Sequence, residues 1–110
     1  MSLATRPQEM RRAERHEVCY RCEIAGEGPD ITRGLMVDIS ALGCMMRSSH
    51  SFIQGTLVSF ALPVLGKCQA RVVWAIGGRV GMEFLRPIDA TPFLAMLPHL
   101  VRHGDALDIY

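Results

Sequence analysis

The chain is short of lysine, of aromatic side chains, of net charge and of long apolar runs, and each shortage excludes something. Lys67 is the single lysine beside eleven arginines, and the formal net charge is +1. A chain so near neutrality lacks the broad basic face that a nucleic-acid polymer or an anionic membrane requires. Its aromatic residues are Phe 4, Tyr 2 and Trp 1, too few to line a groove in which single strands stack. No stretch of 18 apolar residues occurs, so no membrane insertion is expected. The N-terminus has no apolar core resembling a secretory signal. A cytoplasmic protein is expected, with Cys19, Cys22, Cys44 and Cys68 reduced rather than bridged.

Recognisable catalytic groupings are also missing. There is no evident nucleophile–base pair and no glycine-rich phosphate loop joined to a lysine, so the reading is not an enzyme. Cys19-x-x-Cys22 has zinc-like spacing but falls on an expected strand, where the two positions face opposite sides. His99 and His103 are four apart near a helix end, where the helix dipole accounts for them better than a metal does. No cofactor is expected.

What is present is a chain of 110 residues, 49% of them hydrophobic, enough for one compact domain with a core of its own. Residues 1–16 are polar and read as a flexible arm. From Glu17 the period becomes two: Val18, Tyr20, Cys22 and Ile24 alternate with Cys19, Arg21 and Glu23. "GEGPD" (26–30) is turn chemistry. In "TRGLMVDIS", Leu35, Val37 and Ile39 fall on one face, assigned to the core, and Met36, Asp38 and Ser40 on the other. Further strands are expected over 44–48, 56–62, 68–76 and 79–85, with Gly77-Gly78 as a hairpin turn. Six short strands separated by turns predict an all-β fold, an antiparallel barrel or sandwich. After Pro87 the period becomes helical. Thr91 suits an N-cap and Pro92 the first helical position. Phe93, Met96, Leu97, Leu100 and Val101 share a side that would plug or cover a barrel. Pro98 is expected to kink or interrupt this helix, and Gly104 to end it. The domain thus spans 17–104, with 105–110 a tail.

Two short patterns carry the functional signal. Asp38 and Ser40 place a carboxylate and a hydroxyl on one outer face. Gly43 ends that stretch, where a positive φ or the close approach of another molecule requires a missing Cβ. In the arm, Arg11 and Arg15 are four apart, with Arg12 adjacent. Each pattern alone also fits a solvated arm or a strand edge leading into a turn. Together they are complementary. Forked cations suit phosphate oxygens and the O6/N7 edge of guanine, and a carboxylate suits the guanine N1–H and 2-amino donors. A guanine nucleotide with exposed phosphates satisfies both. Trp74 would stack on a base if it faced outward, but its alternation with Val72 and Ile76 favours the core.

Arg11-x-x-x-Arg15 followed by Asp38-x-Ser40-x-x-Gly43 resembles the PilZ domain, the bacterial receptor for cyclic di-GMP. The Trp74 strand, "GRVGMEF" (78–84) and the C-terminal helix are similar to that family's layout. The resemblance implies a six-stranded antiparallel β-barrel with a C-terminal α-helix. It implies cyclic di-GMP on the outer wall, with Arg11, Arg12 and Arg15 on phosphates and guanine edges, and Asp38, Ser40 and Gly43 at a guanine. It further implies signalling to an unidentified protein effector in motility or biofilm control. The alternative is a ligand-blind adaptor of the same fold that acts only through protein contacts.

Overall fold

The computed structural model describes residues 13–26 and 28–101. They form six strands: β1 (His16–Ala25), β2 (Ile31–Ile39), β3 (Gly43–Arg47), β4 (Leu57–Leu62), β5 (Gly66–Ile76) and β6 (Arg79–Phe84). One helix follows, α1 (Ala90–Leu100). The strands pair antiparallel in the order β1-β2-β3-β6-β5-β4, and β4 meets β1 to close the barrel. The alternating pattern and turn chemistry therefore lead to the architecture they predict. Gly77 and Gly78 both have positive φ, 59° and 79°, as a two-residue hairpin between β5 and β6 requires.

The lumen is filled with buried apolar side chains. Ile24, Met36, Met46, Val72 and Val80 are among its fully buried members, and Phe93, Met96 and Leu100 of α1 complete the same core. The helix thus closes the barrel with the face its spacing indicates. Its boundaries differ from expectation. It begins at Ala90, with Asp89 in the N-cap position and without a side-chain cap. Pro92 is therefore the third helical residue, still within the turn whose amides have no partner inside the helix. Pro98 does not interrupt the helix, which continues to Leu100. Val101 is already extended and bridges Cys19 of β1; Gly104 lies outside the described residues. Among the described residues no helix is long and apolar enough to cross a membrane.

The strand faces also require correction. Met36 is 0% exposed, whereas Leu35 and Val37 are only half-buried. The cause is a bulge in β2. Met36 pairs with Met46 and Asp38 with Met45, so Val37 has no partner of its own on β3. A bulge inserts one residue and reverses which face the following side chains take. Met36 and Ile39 both point inward, and Asp38 points out between them. β5 behaves alike: Val72 pairs with Met82 and Trp74 with Gly81, leaving Val73 extra. In β1 a third irregularity lies between Glu17 and Tyr20; Val18, Cys22 and Ile24 are buried and Tyr20 is half-buried.

Cys22 and Cys44 lie in the core and Cys68 is half-buried; all four cysteines are free thiols. Burial, reinforced by Cys68, pushes the Cys22 thiol up to about 12. Burial likewise raises the Cys44 thiol, with smaller contributions from Cys22, Cys68 and Asp38.

Two predictions test this interior. Met36→Ala should cost about 2–5 kcal/mol, and Leu35→Ala about 1 kcal/mol or less, in urea denaturation; the reverse order would contradict the bulge. The second concerns pH. An unfolded thiol ionises near 8.5, below its folded value, so the two buried thiols contribute fully below about pH 8.5 and lose that contribution as pH rises toward 12. The urea midpoint should fall between about pH 8 and pH 10, and Cys22→Ala with Cys44→Ala should flatten the fall.

Candidate functional site

The two bulges open onto one cleft. It has a volume of about 360 Å³ and lies on the outer wall, with Arg15, Asp38, Ser40, Gly43, Trp74 and Gly81 among its lining residues. Five of the seven residues singled out from the sequence are thus brought together. Arg11 and Arg12 lie outside the described residues.

Asp38 stands at the end of β2 with its side chain 16% exposed. Arg15 is 65% exposed, and its Nη2 donates to Asp38 Oδ2 as one arm of an ion pair. The other oxygen, Oδ1, is buried and has no hydrogen-bond partner among the described residues. An unsatisfied buried acceptor costs about 1–3 kcal/mol, and more for a charged group, so Oδ1 is an acceptor that an outside donor would satisfy.

Ser40 begins the turn between β2 and β3. Its N–H donates to Gly43 O at 2.8 Å, and its Oγ accepts from the amides of Leu42 and Gly43 at 3.2 and 3.3 Å. With both lone pairs engaged by the turn, the hydroxyl hydrogen is what Ser40 has left to give. The turn is anchored from both sides: Phe84 N–H donates to Leu42 O at 2.9 Å and Ile88 N–H to Ala41 O at 2.8 Å. Gly43 is needed for a different reason from those considered above. It has no positive φ, but a Cβ there would sit 2.2 Å from the Met82 carbonyl oxygen. The close approach is made by the neighbouring strand.

Trp74 is not a core residue. It is 38% exposed on the outer face, because the bulge at Val73 reverses the alternation that pointed inward. Its indole covers Gly81, where a Cβ would meet Nε1 at 2.3 Å. Gly81 and the rim residue Glu83 were missed by sequence reasoning. The available signal was a glycine inside a strand, which often marks a close approach. The cleft therefore combines a guanidinium, a carboxylate with one open acceptor, a hydroxyl donor and a flat indole. This set suits a planar molecule that carries both hydrogen-bond donors and negative charge. Among the described residues no three His, Cys, Asp or Glu side chains gather to hold a metal ion.

Fold and site together define a class: a closed six-stranded barrel with a packed lumen, a capping helix and its cleft on the outside wall. The chain matches the PilZ domain family over residues 9–102, and it belongs to that family. PilZ domains are typically non-catalytic receptor domains, and the family commonly binds cyclic di-GMP. No curated protein matches the chain significantly.

Trp74 is the only tryptophan and so reports on this wall. Gly81→Ala should displace the indole, shifting its fluorescence to longer wavelength and lowering its anisotropy. Spectra identical to the parent protein's would contradict the seating of Trp74 over Gly81.

Proposed function

We propose that this PilZ domain binds cyclic di-GMP in the outer cleft and passes its level to a protein effector through a changed arm and surface. The observation that carries the reading is Arg15 resting on Asp38 beside the outward indole of Trp74, with Asp38 Oδ1 satisfied by none of the described residues. One cation, one open acceptor and one flat ring match the three recognition features of a guanine nucleotide: phosphate, donor edge and π-face.

In this mechanism the ligand competes for Arg15. The guanidinium leaves Asp38 for a phosphate or a guanine Hoogsteen edge, which a forked donor matches in two contacts. Asp38 then accepts from guanine N1–H and the 2-amino group, and the Ser40 hydroxyl donates. Trp74 offers its face to a base; such stacking contributes about 1–3 kcal/mol. Arg11 and Arg12 complete the grip on the two negative charges. Gly43 acts indirectly, since its missing Cβ lets β3 approach β6 and sets the turn that carries Ser40. Moving Arg15 is also how occupancy would reach the surface, because the residue sits where the arm meets β1.

Isothermal titration calorimetry with cyclic di-GMP tests this. Saturable binding is expected, weakened about 10–100-fold by Arg15→Ala and by Asp38→Ala, each a loss of roughly 1.5–3 kcal/mol for a hydrogen bond to a charged group. Trp74→Ala should weaken it by roughly tenfold. A folded protein that gives no binding heat would leave the ligand-blind adaptor as the reading.

A further inference from the structure

A row of arginines crosses the same outer wall beyond the Asp38 cleft. Arg21 of β1 stands opposite Leu35 of β2, Leu35 opposite Arg47 of β3, and Arg47 opposite Arg79 of β6. Arg33, two residues before Leu35 on β2, stands opposite Glu23. The alternate neighbours Cys22, Gly34, Met46 and Val80 are buried, and all four arginines are exposed. None of the four makes a side-chain hydrogen bond or ion pair with a described residue. Arg47 and Arg79 are like charges directly opposite one another, a pairing that destabilises a sheet unless something compensates it. A cleft of about 480 Å³ opens among Arg21, Arg33, Leu35 and Arg47, with Ser48 and Ser49 at its edge.

We propose that this row docks an acidic segment of a partner protein, its carboxylates on the guanidiniums and an apolar side chain over Leu35. The surface is separate from the Asp38 cleft, and the inference does not depend on what that cleft binds. Arg47 and Gly43 are four residues apart, about 13 Å along β3. The spacing selects the occupant. The row from Arg21 to Arg79 covers three inter-strand steps, about 14 Å, so a single phosphate reaches only part of it. A membrane or nucleic-acid duplex needs a broader basic face, and here Glu23 interrupts the patch in a chain of net charge +1. Arg21 and Arg47 are two steps apart, about 10 Å, with a half-buried leucine between them. Carboxylates flanking an apolar residue on an extended segment meet that pattern, and a forked guanidinium binds each in two contacts.

The test uses the full chain, labelled with nitrogen-15, and the synthetic peptide acetyl-Glu-Asp-Leu-Asp-Glu-amide. Saturable NMR shifts are expected at Arg21, Leu35, Arg47 and Arg79, weakening several-fold when salt is raised to about 0.3 M. Arg33→Glu with Arg47→Glu should weaken binding at least about tenfold; Arg33→Gln with Arg47→Gln gives a milder loss and serves if charge reversal unfolds the barrel. Four results would overturn the proposal. One is an equal response to a peptide with lysine at every acidic position. Another is an equal response to inorganic phosphate alone. A third is stronger binding to phosphatidylserine vesicles than to the peptide. The fourth is movement of the same arginine signals by Asp105→Asn with Asp108→Asn in the absence of peptide, which would make the chain's own acidic segment the occupant.

Discussion

Val37 and Val73 each stand in a strand without a partner of their own across the sheet, and the outer wall depends on these two bulges. In a regular strand Met36 and Asp38 would share a face, as would Val72 and Trp74. One member of each pair is apolar and fully buried, so regularity would force a carboxylate and an indole into the lumen beside it. The inserted residue releases that conflict. Met36 and Val72 fill the barrel, while Asp38 and Trp74 turn outward into one cleft. An uncompensated buried carboxylate is costly enough to make the irregular register the favoured one.

Closure of the sheet sets where anything can bind. The lumen is occupied by side chains, with α1 completing its packing, so polar chemistry is confined to the outside. There the rigid parts and the exposed part divide the work. Ser40 is locked by its own turn, which β6 and the approach to α1 hold from either side. Gly43 and Gly81 have no side chains because a neighbouring carbonyl and an indole occupy the space. Arg15, by contrast, is exposed and among the described residues is held by one ion pair, the kind of contact that solvent screens and a better anion can displace. A fixed acceptor and donor beside an exchangeable cation suit the proposed mechanism, in which a ligand and Arg15 compete for the Asp38 carboxylate.

Much of this was legible from the residues. Period-two alternation and turn dipeptides located six strands, and helical spacing identified the buried face of α1 from Phe93 to Leu100. Regular alternation puts Asp38 outward, where it lies, but it also puts Leu35 and Val37 in the core and Met36 at the surface. The bulge overturns that part and leaves Asp38 where expected. At Trp74 the same kind of parity argument failed outright. Pro98 is expected to kink or interrupt the helix; the helix runs through it to Leu100, with the Pro98 nitrogen donating no hydrogen bond. Gly43 was singled out for a close approach, yet the approaching group is Met82 of the adjacent strand.

The sequence by itself determined the class of fold, the single packed core, the complementary chemistry of the arginines before β1 and the Asp38-x-Ser40 pair, and the family resemblance that the chain bears out. These follow from patterns carried within a few consecutive residues. The tertiary structure alone decided which face each residue takes beyond a bulge, that Trp74 lies over Gly81, and that Arg21, Leu35, Arg47 and Arg79 align across four strands. A bulge and a cross-strand row exist only once strands are in register, and register is settled by the partner strand and the space inside the closed barrel.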